Sequence, residues 1–258
     1  MARKESLQLK DKVAVVTGAG RGIGEATARL FHEEGASLIL LDQDESGLTE
    51  LAASLGPDRV YVSPCDIGNE AQVEGAVQKG HELFGRIDVL ANIAAIRVKP
   101  APVTEIEVSE WDRILRVNIT GVAICAKHVI PLMGTGGSVI NVSSVHATIG
   151  RKSWAAYDAT RAAVLALSRD MAQDHGVDGI RVNVVAPGPV ITGFHVQQLA
   201  RQEGIPASEA EARLRALPRK NVMNRAAEPI EVARAILFLA SDNSSFMTAS
   251  VMNVDGGY

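Results

Sequence analysis

Cysteine is scarce in this chain. Its only two, Cys65 and Cys125, lie far apart and form no ligand-spaced pair, and clusters of His and Glu at metal spacing are missing too, so neither a disulfide nor a metal is expected. No block of Lys or Arg recurs, and the formal net charge is only -4. A surface that tracks nucleic-acid phosphates is therefore not expected, and small-molecule chemistry is the better reading. No apolar run reaches about 18 residues, and Met1 to Lys12 is polar and basic without the apolar centre of an export signal. These absences predict no membrane partner and a cytoplasmic location. No linker-like shift in composition divides the sequence, so residues 1–258 read as one domain, with ample core material in its 47% hydrophobic residues.

What is present is a regular alternation. Short aliphatic or β-branched runs at 13–17, 37–42, 59–63, 87–91, 137–143, 180–185 and 250–254 read as buried parallel strands. Between them, amphipathic stretches at 22–34, 44–54, 69–84, 109–133, 154–174 and 228–240 read as crossover helices. Gly35 and Gly85 stand where C-caps belong. The expected fold is therefore α/β: a Rossmann-like, doubly wound sheet of seven parallel strands with helices on both faces, binding ligands at the strand carboxyl ends. Residues 190–225 exceed an ordinary connection and carry an Ala/Glu/Arg-rich helical piece at 207–217, which suggests a substrate lid.

Two motifs carry chemistry. Thr17-Gly18-Ala-Gly20-Arg21-Gly22-Ile23-Gly24 follows the first strand and opens the first helix, where backbone can approach a pyrophosphate at the positive helix terminus. Asp42 ends the next strand, where a carboxylate binds a ribose 2'-hydroxyl and repels a 2'-phosphate; the expected cofactor is NAD, although Arg21 partly offsets that repulsion. Tyr157 and Arg161 are spaced i, i+4 on a helix and share a face, so the guanidinium can favour the phenolate. One cation at about 4 Å contributes about 4 kcal/mol at an effective dielectric near 20. Asp158, i, i+3 from Arg161, is positioned to draw the guanidinium away.

With these residues in place, the chain resembles the short-chain dehydrogenase/reductase family along nearly its whole length. Thr17 to Gly24 is similar to the family's glycine motif, and Asp66, followed by Ile67, to the acid beside the adenine ring. Asn92-Ile-Ala94-Ala95 stands where N-N-A-G is usual, and Asn118 where a distorted helix holds a water. Ser144, 13 residues before Tyr157, is similar to the catalytic serine; Pro187, Gly188, Val190 and Thr192 are similar to the segment that meets the nicotinamide carboxamide. The resemblance implies hydride transfer between nicotinamide and a secondary alcohol or ketone. Tyr157 would exchange the proton, Ser144 would hydrogen-bond the reacting oxygen, and Asn118 would complete the site. Arg161 replaces the usual lysine, Ala95 a glycine, and Ala249 the glycine common before the last strand. The alternative is an NAD-binding scaffold with reduced or lost turnover. The resemblance also implies a homotetramer or homodimer. Arg97, His146, Arg151, Trp154, Phe194 and His195 fall on loops at the ligand edge and suggest a polar or anionic substrate partly covered by aromatic surface.

Overall fold

Strands that are covered on both faces have no polar side, and the aliphatic runs of this sequence behave accordingly. A computed structural model describes residues 7–258 and forms β1 (Val13–Thr17), β2 (Ser37–Asp42), β3 (Val60–Pro64), β4 (Val89–Asn92), β5 (Gly137–Val142), β6 (Ile180–Pro187) and β7 (Val251–Val254). They make one parallel sheet in the order β3-β2-β1-β4-β5-β6-β7. The order reverses between β1 and β4, and at such a reversal the two connecting loops part and open a crevice.

Side-chain alternation sends successive residues to opposite faces. Val13, Val15, Ile39, Leu41 and Leu90 join one core cluster, while Ala14, Val16, Leu38, Leu40 and Ala91 join the other. The second is closed by α1 (Gly22–Glu33), through Ala28 and Phe31, and by α9 (Pro229–Ala240), through Val232 and Ile236. On the first face lie α3 (Glu70–Phe84), α5 (Val122–Val129) and α6 (Ala155–His175), with Val73, Cys125 and Met171 in the core; α2 (Glu45–Leu55) packs beside β3. Both cysteines are buried and free.

Two elements depart from expectation. The helix expected at 109–133 is interrupted: α4 (Val108–Leu115) passes into a π-helical turn, Arg116–Gly121, before α5, and a 3-10 turn closes it at Ile130–Leu132. Taken together, Val108–Leu132 is long and apolar enough to cross a membrane, contrary to the reading of the runs alone, but half of its most apolar window is buried against the rest of the protein. It is a core helix by packing. Within 190–225 there are two helices, α7 (Gly193–Glu203) and α8 (Ala207–Ala216), joined at Gly204 and packed on one another. The first was not expected, because Val196, Leu199 and Ala200 make an apolar stripe too narrow to read without α8 beside it.

Of the two alanines that replace glycines, Ala95 keeps negative φ, whereas Ala249 takes φ 56°. A left-handed alanine costs about 1–2 kcal/mol. Its N–H donates to the Val182 carbonyl at 2.8 Å, which holds it in that conformation.

Candidate active site

The crevice at the switch point is a cleft of 790 Å³. Its floor is the glycine loop between β1 and α1. Gly18 has φ +69°, and a Cβ there would come within 2.8 Å of the Ala94 Cα; a Cβ on Gly24 would run into the Gly18 carbonyl oxygen. Only glycine lets the loop from β1 and the loop after β4 approach so closely. Thr17 fixes that second loop, since its hydroxyl accepts from the N–H groups of Ile93 at 3.0 Å and Ala94 at 3.1 Å.

Asp42, at the end of β2, is in the cleft wall. Its carboxylate accepts from the N–H groups of Gly20 at 2.8 Å and Asp44 at 2.9 Å. The backbone thus fixes the acid at the mouth of the glycine loop. Arg21, the one residue that would welcome a 2'-phosphate there, is instead paired with Asp44 at 3.2 Å.

At the other end, β5 and α6 bring Ser144, Tyr157 and Arg161 together in the wall. Ser144 Oγ accepts from the His146 N–H at 3.2 Å, which leaves its own O–H to donate. Its neighbour Ser143 also borders the cleft, but its hydroxyl donates to the Arg161 carbonyl at 2.7 Å, whereas the Ser144 hydroxyl proton is left for a ligand. Arg161 is only 2% exposed. Its Nη1 donates to the Val142 carbonyl at 3.1 Å, while Nε and Nη2 are buried without a partner. The guanidinium carbon lies 5.2 Å from the Tyr157 ring centroid. Burial pushes this guanidinium's pKa below its usual range; Tyr157 offsets part of that and Arg97 adds to it.

Asp158 does not take Arg161. Its carboxylate receives Arg151 through both oxygens, at 2.9 to 3.2 Å, so the competition anticipated from the i, i+3 spacing is resolved in favour of another arginine.

Asn118 sits within the π-helical turn and is fully buried. Its side chain accepts from the Ile96 N–H at 2.8 Å and donates to the Ile96 carbonyl at 3.0 Å and to Thr160 Oγ1 at 3.1 Å. Thr160 in turn donates to the Tyr157 carbonyl at 2.7 Å. Asn118 is therefore outside the cleft wall and ties the 93–97 loop to the helix that carries Tyr157.

Among the expected cofactor residues, Gly18, Arg21, Gly22, Ile23, Gly24, Ile67, Ala94, Pro187, Gly188, Val190 and Thr192 line the cleft together with Asp42. Gly20, Asp66 and Asn92 do not. Gly20 holds Asp42; Asp66 accepts from the Gly68 N–H at 2.8 Å; Asn92 donates to Asn141 inside the sheet at 2.9 Å. At the substrate end Arg97, His146 and His195 line the cleft, whereas Trp154 lies outside the wall, its ring T-shaped to Tyr157 with the centroids 6.0 Å apart. The Phe194 side chain lies outside the described residues.

Arg97 Nη1 reaches His195 Nε2 at 2.6 Å, and His195 Nδ1 meets Thr192 Oγ1 at 2.9 Å. Burial first, then Arg97 and Arg219, pushes the His195 pKa down to about 4, so the ring is neutral near pH 7. It accepts from Arg97 at Nε2 and carries its proton on Nδ1. Burial and the nearby Arg151 also lower His146. Helix α8 and the turn after it supply Leu214, Pro218, Arg219 and Lys220 to the wall, none of which the sequence singled out. The signal was present in the basic Arg-Lys pair after Pro218, but only the folded hairpin turns it toward the cleft.

The fit of a dinucleotide rests on the structure itself. A glycine cradle that any Cβ would fill, a carboxylate fixed at its mouth and two buried guanidinium donors without partners lie along one cleft. Comparison with known proteins agrees. The family profile described as Enoyl-(Acyl carrier protein) reductase matches residues 18–258. The chain is 39% identical over 253 residues to cis-4-hydroxycyclohexanecarboxylate dehydrogenase of Sinomonas cyclohexanicum, covering 96% of each. It is 38% identical over 252 residues to meso-2,3-butanediol dehydrogenase of Serratia marcescens, covering 97% of this chain and 96% of the other. The solved structure of Thermoplasma acidophilum aldohexose dehydrogenase in ligand-free form superposes with a TM-score of 0.86 at 32% identity, covering 97% of this chain and 95% of that one.

Proposed function

The chain belongs to the short-chain dehydrogenase/reductase family and is an oxidoreductase of the nicotinamide-dependent kind, and on that premise we propose that it is an NAD-dependent dehydrogenase of secondary alcohols, reversible toward the ketone. The observation that carries this is the guanidinium of Arg161, buried beside Tyr157 with two donors unpartnered while Asp158 is taken by Arg151. A scaffold with a discarded catalytic corner has no reason to maintain a buried cation there, because desolvating a charge without a counter-charge is costly.

The glycine loop and the start of α1 would hold the pyrophosphate, Asp42 the adenosine ribose, and the free donors of Arg161 the ribose hydroxyls at the nicotinamide end. Bound there, nicotinamide supplies or accepts the hydride. In oxidation the Tyr157 phenolate takes the hydroxyl proton of the alcohol, and in reduction the phenol returns it. Ser144 donates its O–H to the same oxygen. Arg161 stays protonated, so it acts as a fixed charge and not as a proton carrier. Asn118 acts through Thr160 to set the position of Tyr157. The hairpin of α7 and α8 serves as the lid.

The test is turnover. Purified protein with NAD and a panel of secondary alcohols, including hydroxylated cyclohexanes and vicinal diols of the kinds named for the two relatives, is expected to generate the reduced-nicotinamide absorbance. Tyr157→Phe should lower kcat by about 10²- to 10⁴-fold while cofactor binding persists. Asp42→Ala should raise NADP use relative to NAD. Tight NAD binding with no turnover of any alcohol or ketone would instead establish the scaffold.

A further inference from the structure

Charge is distributed unevenly along the cleft. Three of its arginines are matched by acids: Arg21 by Asp44 at 3.2 Å, Arg113 by Glu110 at 2.9 Å and Arg151 by Asp158 at 2.9 Å. Arg97, Arg161, Arg219 and Lys220 have no acidic partner within ion-pair range among the described residues, and Asp42, at the far end, is the one acid among the residues that line the cleft.

Arg161 has its role beside Tyr157. Arg97 does not need one there, yet its guanidinium carbon stands 5.5 Å from the same ring centroid, on a loop at the cleft mouth. Its one hydrogen bond among the described residues is to His195, a neutral acceptor on helix α7 that orients it without cancelling its charge. A neutral substrate seated beneath α7 and α8 would strip water from Arg97 and return nothing. A carboxylate would return two charge-assisted hydrogen bonds, the bidentate geometry that a guanidinium fork matches.

We infer that the substrate is a small hydroxy acid, or the corresponding oxo acid, whose carboxylate is received by Arg97 with Arg219 behind it while its carbinol faces Tyr157 and Ser144. The inference rests on the dehydrogenase reading above and adds to it the second anchor point of the substrate. His195 is a positioning residue in this arrangement, since it touches Arg97 and not the acid. The 5.5 Å between guanidinium and phenol ring limits the acid to a position a few carbons from the carbinol.

The experiment compares secondary alcohols with and without a carboxylate on one carbon frame: 3-hydroxybutyrate against 2-butanol, and 4-hydroxycyclohexanecarboxylate against 4-methylcyclohexanol. The acid is expected to have the higher kcat/KM by about 10- to 100-fold, the usual effect of a hydrogen-bonded charge pair. Arg97→Gln should bring that ratio near unity, Arg97→Lys should retain part of it, and His195→Leu should lower it through KM more than kcat. A ratio near or below one in the native protein, a ratio untouched by Arg97→Gln, or a preference for acetoacetyl-coenzyme A, whose charge lies far from its ketone, would overturn the inference while leaving the dehydrogenase reading intact. If no alcohol is turned over, that reading fails, and calorimetry decides the inference separately. Cyclohexanecarboxylate should bind to the protein saturated with NAD, cyclohexanecarboxamide should not, and Arg97→Gln should abolish the difference; equal binding of acid and amide would sink it.

Discussion

Replacing Arg161 with methionine removes a buried charge and keeps the apolar, unbranched stem of the side chain. The guanidinium carbon lies 5.2 Å from the Tyr157 ring centroid. At an effective dielectric near 20, one charge at that distance stabilises negative charge developing on the tyrosine by about 3 kcal/mol. Divided by 1.36 kcal/mol per tenfold, this is about 100-fold in rate. The sign is fixed: a cation beside the tyrosine favours proton abstraction from the alcohol, so its removal slows oxidation. The assay is kcat/KM for alcohol oxidation in the native protein and the variant at one pH. Arg161→Lys keeps the charge and should keep most of the rate, with any loss coming from a shorter reach to the ribose. Stability without cofactor should move the other way. Nε and Nη2 are buried without partners among the described residues, and keeping an uncompensated charge out of water is costly, which offsets the small cavity the shorter side chain leaves. The methionine variant should therefore melt no lower than the native protein when free of cofactor. An unchanged kcat/KM in Arg161→Met would refute the coupling of this cation to proton transfer.

Ala249→Gly should stabilise the protein: release of left-handed strain at φ 56° returns about 1–2 kcal/mol, and the freer unfolded glycine takes back about 0.5–1. The net of about 0.5–1 kcal/mol should appear as a rise of a few degrees in thermal midpoint, and a fall would mean that the alanine methyl packs more favourably than its backbone is strained. His195 predicts acid sensitivity of the folded state. Its folded pKa is depressed to about 4, so the unfolded chain takes up a proton between pH 6.5 and 4 that the folded protein does not, and stability falls as pH falls through that window by up to about 3 kcal/mol. His195→Gln should lose stability less steeply over the same range in thermal melts, and identical slopes would place the acid sensitivity elsewhere.

Most of the sheet was legible because a strand covered on both faces leaves an uninterrupted aliphatic run, and the glycine turn between β1 and α1 was legible because glycines at fixed offsets have few other uses. Asp42 could be placed at the carboxyl end of β2 from spacing alone, and there it lines the cleft. What spacing could not supply was the partner of each polar group. The sequence put Asp158 within reach of Arg161, and by helix geometry either could have paired with the other. Two facts of packing decide otherwise. Arg161, one helical turn beyond Tyr157, points into the protein toward the carbonyl of Val142, where Asp158 does not follow; and the preceding loop, turned by Ser153 at φ 66°, delivers Arg151 to the half-buried carboxylate from outside. The same limit hid the helix α7, the basic residues after Pro218, and the pairings of Gly20 with Asp42 and of Asn92 with Asn141, which are settled by neighbours distant in sequence. The charge at Arg97 follows from these pairings: with Asp158 taken by Arg151 and Glu110 by Arg113, Arg97 keeps the neutral His195 as its hydrogen-bond partner among the described residues, and a carboxylate on the substrate is the counter-charge that the proposed arrangement would add.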